Sequence, residues 1–349
     1  MAANLKAIAP AATYPNRLTF TRASELVRVV KPVRYAIKHV LERDAVGTLI
    51  AAPGTAKTFL AVDWACCIAT GTPWQGHKVE QGAVLYVAGE GHNGISKRLA
   101  GWQKAHKVSL QNAHLYVSDR AVPLNANEGY NALRAAIAEV AETPALIIVD
   151  TLARNFVGDE NSSKDMGAFI AAVDDLRRPM QATVLIVHHS GWGAAERGRG
   201  SSALFGGVDR EWLAKRDGDV IVLTCLKAKD AELPPPIGLR LESVPLDVFD
   251  EDGDEETTAV LRAATLRESK PKGLGANQIK AMTALRKLYA DNLSTQSSDP
   301  DKVLVSMDGW RVAAGLNRQR FAEVCKALEE RGQVVIERPH VRIAHGADD

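Results

Sequence analysis

The octapeptide Ala51-Ala52-Pro53-Gly54-Thr55-Ala56-Lys57-Thr58 constrains this chain more than any other stretch. It lies between an apolar run, Val46 to Ala51, and an apolar helical pattern that begins at Phe59. A buried strand, a short loop ending in Lys-Thr and a helix are the parts of a phosphate-binding loop. Backbone N–H groups of such a loop wrap the β-phosphate, the lysine ammonium reaches the β- and γ-phosphates, and the next hydroxyl holds Mg²⁺. The helix dipole adds positive potential at the same end. Pro53, Gly54, Thr55, Ala56, Lys57, Thr58 and Phe59 are therefore the residues expected at a nucleotide. The pattern departs from G-x-x-x-x-G-K-[ST] at both glycines, replaced by Ala51 and Ala56. An alanine forced to positive φ would cost roughly 1–2 kcal/mol. The competing explanation is an ordinary strand–turn–helix with a chance A-K-T.

The surroundings of the loop set the fold class. Gly82 to Ala88, His114 to Val117, Ala145 to Val149 and Thr183 to Val187 read as further strands. Helical patterns at Gly94 to Ala105, Glu128 to Ala141 and Asp165 to Arg177 separate them. Apolar strands without in–out alternation, joined through helices, predict a parallel sheet covered on both faces. After residue 208 the pattern changes to a meander, with strands at Asp209 to Ala214, Val220 to Lys227, Ile237 to Ser243 and Thr257 to Ala263. Residues 267–275 (R-E-S-K-P-K-G-L-G) read as a linker. The expected division is an arm at 1–30, an α/β core at 31–266, the linker, and a small domain at 276–349. In that last domain a helix from Ala276 to Ala290 precedes a short one at Trp310 to Ala314. A third, Arg318 to Glu330, is capped by Asn317, and two short strands, Val334 to Glu337 and Val341 to Ala344, follow. That is the winged-helix order.

Composition narrows the function classes. The 349 residues carry 43 Lys+Arg against 42 Asp+Glu, so the chain is not basic throughout. No run of about 18 apolar residues is present, and no membrane span is expected. Met1 to Ala12 is short and the segment after it is charged, which lacks the signal-peptide pattern; a cytoplasmic location is expected. Cys66, Cys67, Cys225 and Cys325 show neither zinc spacing nor a disulfide framework, and buried reduced thiols are expected.

Four features fall at the C-terminal ends of strands, where open α/β sheets bind ligands. Asp150 ends the A-L-I-I-V strand, in reach of a Mg²⁺ water shell held by Thr58, or else caps the next turn. Glu90, in A-G-E-G-H, can orient or deprotonate an attacking water, with a solvated turn glutamate as the alternative. His188-His189-Ser190 ends the T-V-L-I-V strand, where a polar group could read a γ-phosphate. The loop A-A-E-R-G-R-G carries Arg197 and Arg199, which could complete a neighbouring subunit's site, grip a nucleic-acid backbone or stay solvated.

The succession A-P-G-T-A-K-T-F-L-A, V-L-Y-V-A-G-E-G, L-I-I-V-D-T-L-A-R, V-L-I-V-H-H-S and R-G-S-S-A resembles the RecA-fold ATPases of the plasmid and phage RepA type, hexameric replicative helicases. The resemblance covers roughly residues 25–265. It implies ATP and Mg²⁺ as cofactors, with Lys57 and Thr58 at the phosphates and Asp150 as the Mg²⁺-side carboxylate. It also implies Glu90 as catalytic base, His188 or His189 as γ-phosphate sensor and Arg199 as an arginine finger. A homo-hexamer follows, with ATP between subunits and single-stranded DNA in a channel lined by the loops at 154–164 and 191–204.

From Lys270 to His345 there are 13 Lys+Arg and 8 Asp+Glu. Arg318 and Arg320 open the third helix, and Arg338, His340 and Arg342 lie on the wing, a pattern that suits duplex DNA. Two functional classes remain at this stage: an ATP-driven DNA helicase or translocase of plasmid or phage replication, and an ATP-switched DNA-binding adaptor or initiator without motor activity.

Overall fold

The computed structural model of the chain describes residues 20–30, 32–89, 92–191, 198–266, 274–295 and 303–344. Two compact units divide it, Met1–Leu266 and Arg267–Asp349. The first begins with one helical turn, α1 (Ala23–Leu26), and a 3-10 turn, neither of which buries a residue. A small hairpin of β1 (Tyr35–Ile37) and β2 (Leu41–Glu42) leads into β3 (Val46–Ala51) and α2 (Lys57–Thr70). Then come β4 (Ala83–Ala88), α3 (His92–His106), β5 (Leu115–Val117), α4 (Asn127–Glu139), β6 (Pro144–Asp150), α5 (Ser163–Arg177) and β7 (Thr183–His189). The unit ends in α6 (Ser202–Gly207), β8 (Arg210–Asp217), β9 (Val220–Ala228), β10 (Ile237–Phe249) and β11 (Glu255–Ala263).

One large sheet joins these strands in the order β11-β10-β9-β8-β3-β7-β6-β4-β5. From β8 to β5 every neighbouring pair is parallel. The β8–β9–β10–β11 meander extends that sheet in antiparallel fashion. The central strands β3, β4 and β6 are buried at every position, which is why they read as unbroken apolar runs. β10 is longer than its sequence pattern suggests and contains Pro245. It pairs with β9 only through Ile237–Arg240, so Pro245 lies where β11 is its sole neighbour and no second ladder needs its missing N–H. The β1–β2 hairpin has no counterpart in the sequence reading. Buried Arg210 fixes it to β8: the guanidinium holds the Glu42 carboxylate with both oxygens and donates to the His39 carbonyl at 2.9 Å.

Two cores lie on the two faces of the sheet. One packs Met166, Phe169 and Val173 of α5 against β6 and β7. The other is built around α2, whose residues from Leu60 to Ala69 are all buried. A helix apolar all round must be enclosed on all sides. The exception is Asp63, buried at its centre. Its two carboxylate oxygens accept from the indole N–H groups of Trp74 and Trp102, both at 2.8 Å. Asp63 thus ties α2 to α3 and to the loop between α2 and β4. Burial raises its pKa to about 6, against the lowering effect of those indoles.

The second unit comprises α7 (Ala276–Thr295), β12 (Val305–Ser306), α8 (Met307–Ala314), α9 (Arg318–Glu330), β13 (Val334–Glu337) and β14 (His340–Ile343). Its sheet runs β12-β14-β13, antiparallel throughout. Trp310 and Phe321 meet edge to face at the centre of its core, 4.9 Å between centroids, and the Trp310 indole donates to the Ala281 carbonyl at 2.7 Å. Gly315, at φ 59°, stops α8, and the Asn317 side chain caps α9 through the Arg320 N–H at 2.9 Å. The short strand β12 was absent from the sequence reading. Among the described residues no helix is long and apolar enough to cross a membrane.

Asp63→Asn places an NH₂ against one indole N–H and leaves that buried donor unpaired, a cost of about 1–3 kcal/mol. A lowered unfolding midpoint is expected. The raised pKa of Asp63 means the native state binds its proton more readily than the unfolded chain does. Its contribution to stability is full below about pH 4 and is lost as pH rises through about 6. The stability gap between wild type and Asp63→Asn should therefore narrow over that window; a gap independent of pH would place the charge elsewhere.

Candidate nucleotide-binding site

β3 ends at Ala51, α2 begins at Lys57, and the five residues between them turn the chain through a tight loop. The two missing glycines have different consequences. Ala51 is a buried strand residue in register with His189 and Ala214, a conformation any residue adopts. Ala56 sits at φ 65°, ψ 25°, in the left-handed region. Gly54, at φ 73°, has open space where a side chain would stand. The loop thus has the two left-handed residues it needs, one of them an alanine under strain.

The Lys57 ammonium is buried and donates to the carbonyls of Ala51 (3.1 Å) and Ala52 (3.0 Å). Those bonds hold the cation at the rim of the loop, where an anionic phosphate oxygen is a stronger acceptor than either carbonyl. Pro53, Gly54, Ala56, Lys57, Thr58 and Phe59 line one cleft. Thr55 is not among its lining residues: it is buried, and its N–H donates to the Ala52 carbonyl at 3.3 Å.

Asp150 is buried at the end of β6. Its Oδ2 accepts a 2.5 Å hydrogen bond from the Tyr86 hydroxyl on β4. Its neighbour Thr151 reaches the cleft. Among the described residues no three His, Cys, Asp or Glu side chains cluster as a metal cage. Mg²⁺ with a nucleotide needs none, since it takes one or two protein oxygens and completes its shell with phosphate and water. Thr58 lines the cleft and Asp150 does not, but the Thr58 hydroxyl and the Asp150 carboxylate are both oxygen donors of the hard kind that ion requires, so the donor types fit it.

Successive residues of a strand face opposite ways, and this separates the paired histidines. His189 lines the cleft. His188 is buried and its Nε2 meets the Arg199 carbonyl at 2.6 Å. That contact requires Nε2–H as the donor. Burial lowers the pKa of both rings, and the Lys57 charge acts in the same direction, so both are neutral at pH 7. Arg199 does not line the cleft: its Nε donates to Glu160 at 3.0 Å. Glu90 and Arg197 lie outside the described residues.

Three participants were missed in the sequence. Arg98 of α3 stands over the Phe59 ring at 4.9 Å and lines the cleft with Leu241 of β10. Gly94, one turn earlier in α3, leaves room for that guanidinium: a Cβ there would meet Arg98 Nη1 at 3.2 Å. Tyr86 is the third. Neither Arg98 nor Leu241 carries a sequence signal that marks it for the cleft.

A buried parallel sheet with a Lys-Thr loop at the tip of β3 and an aspartate ending β6 defines a P-loop ATPase. A family profile described as an AAA domain matches residues 12–195, more than half of the chain, and the chain belongs to that family. The match takes in β1 to β7 and stops before the antiparallel extension and the second unit. No curated protein matches the chain.

Ala56→Gly removes the left-handed strain, roughly 1–2 kcal/mol, and forfeits one methyl against the core, about 0.8 kcal/mol. A net gain of about 0.5–1 kcal/mol in unfolding free energy is expected. A loss of stability would show that this alanine is not strained.

Proposed function

We propose that the chain is an ATP-hydrolysing DNA translocase or helicase of the RepA type, ring-forming, cytoplasmic, and acting in plasmid or phage replication. The observation that carries the reading is the strand order β3-β7-β6. It sets a histidine strand between the phosphate-loop strand and the Asp150 strand, so one cleft can feel phosphate, metal and a sensing side chain together. Lys57 and the loop N–H groups grip the β- and γ-phosphates. Thr58 and Asp150, whose carboxylate accepts from Tyr86, would hold Mg²⁺, which would neutralise phosphate charge when bound. Glu90, two residues beyond β4, takes the proton of the attacking water. Neutral His189 donates or accepts at the γ-phosphate and reports its presence to β7. Arg199 serves the site of the next subunit, in a homo-hexamer around single-stranded DNA.

The second unit supports a winged-helix assignment through its order helix, strand, two helices and hairpin. Arg318 and Arg320 are exposed on the first turn of α9 and would meet duplex phosphates. A second reading, an ATP-switched DNA-binding adaptor or initiator, draws support from the strained Ala56 and from the pairing of Arg199 within its own subunit.

The deciding measurement is the ATPase rate with and without single-stranded DNA, alongside the mass of the ATP-bound assembly. DNA-stimulated hydrolysis by a hexamer is expected; ATP binding without stimulation would favour the adaptor. Lys57→Ala should lower turnover at least about 100-fold. Glu90→Gln should keep ATP binding and lose hydrolysis, and a normal rate there would reassign the base. For the second unit, Arg318→Ala with Arg320→Ala should lower the salt dependence of duplex binding by about two ion equivalents. An unchanged slope would remove α9 from the DNA contact.

A further inference from the structure

Arg199 is held at three points. Its N–H donates to the His189 carbonyl at 2.9 Å, its carbonyl accepts from His188, and its side chain reaches Glu160. The first two contacts fix its backbone to the end of β7, beside the nucleotide cleft. Only the third can be exchanged without breaking the fold.

Glu160 is a placed partner rather than a passing one. Its side chain is 11% exposed, against 54% for Arg199. Its carbonyl accepts the Ser201 N–H at 2.8 Å, and Ser163 and Ser201 share a hydrogen bond at 3.0 Å. Gly200, at φ 91°, passes so close that a Cβ there would stand 2.5 Å from the Glu160 carbonyl oxygen. The chain around Arg199 is thus laced onto the segment preceding α5, with the carboxylate set where the guanidinium arrives. The bond itself is single, through Nε, and the terminal nitrogens of Arg199 have no partner among the described residues. A guanidinium pairs best through two parallel bonds, and phosphate offers them. A half-exposed single contact gives way to such a ligand.

We propose that Glu160 is a positioning residue for ATP hydrolysis: it retains Arg199 within its own subunit until the triphosphate bound by a second copy of the chain draws the guanidinium across. This rests on the proposed reading of Arg199 as a finger and adds the element that withholds it. The carboxylate sets the resting rate, and nucleotide reaches it through His189, the Arg199 backbone and the segment from Gly198 to Ser201.

The test is a mutant cycle read as kcat and KM for ATP, with and without oligo-dT. Glu160→Gln is expected to raise basal kcat about fivefold, the factor for freeing an exposed ion pair, with KM unchanged and DNA stimulation reduced. Glu160→Asp, which keeps the charge, should raise it less. Arg199→Ala should fall at least about 100-fold. Glu160→Gln combined with Arg199→Ala should match Arg199→Ala alone, because the carboxylate acts only through that side chain. Should Glu160→Gln fail to fold, Glu160→Asp gives the same comparison. An equal effect of the substitution with and without Arg199, an unchanged rate, or a fall to the Arg199→Ala level would overturn the inference. So would salt-sensitive tightening on oligo-dT at constant kcat, which would make Arg199 a DNA contact. A wild-type chain that binds ATP without turning it over overturns the proposed function as well, whereas hydrolysis abolished by Lys57→Ala but indifferent to position 160 overturns this inference alone.

Discussion

The parallel register of β3, β7 and β6 is the constraint on which the rest of this protein depends. Ala51 stands opposite His189, and Asp150 opposite Val187. Three buried strands therefore finish within two residues of one another, each delivering a different chemical group: an ammonium through the following loop, an imidazole and a carboxylate. Nothing else in the fold brings these groups together, since they are over 30 residues apart in sequence at every step. Pairing these strands in one covered sheet removes their apolar side chains from water on both faces. Hydrophobic burial thereby sets the geometry of a polar site.

That rigidity explains how the loop tolerates Ala56. A left-handed alanine persists only where its surroundings over-determine the backbone. Here β3 is locked between two parallel neighbours, and α2 is enclosed along its length and pinned by Asp63 to two tryptophans. The strain of about 1–2 kcal/mol falls between two elements that cannot move to relieve it. The departure from the usual glycine is therefore held in place by its neighbours, at a cost in stability.

The sheet was legible because continuous burial writes itself as continuous apolarity: Ala145 to Val149 and Thr183 to Val187 are recognisable as they stand. The second unit's core was legible for the complementary reason, since Phe321, Val324 and Leu328 recur at helical spacing on α9 and are buried together with Trp310 of α8. The β1–β2 hairpin was not, because strands of two or three residues carry no period, and a buried ion pair with Arg210, 168 residues away, holds it in place. The helix α6 is not legible either, because six residues carry less than two turns of the helical period. At the site, the sequence named the residues of the loop but not their neighbours. Tyr86, Arg98 and Leu241 are ordinary members of a strand or helix until the fold sets Arg98 and Leu241 at the cleft and Tyr86 against Asp150. Asp63 did leave a trace: a lone carboxylate in an otherwise apolar helix requires buried donors, and the nearby tryptophans were the donors available.

The two histidines show where sequence and geometry divide the labour. As adjacent residues at a strand terminus they cannot share a role, because the pleat turns one to the cleft and the other away. His188 spends its N–H on the Arg199 carbonyl, while its Nδ1 is buried without a partner among the described residues. A charged ring there would face desolvation and the Lys57 ammonium together, so the neutral form is maintained and the bond to Arg199 keeps one direction. His189, on the cleft side, also stays neutral beside Lys57 and so does not compete with that lysine for phosphate charge. A neutral ring on the cleft side keeps one donor and one acceptor nitrogen. The backbone joins the two rings to the loop beyond, because the His189 carbonyl is itself the acceptor for the Arg199 N–H.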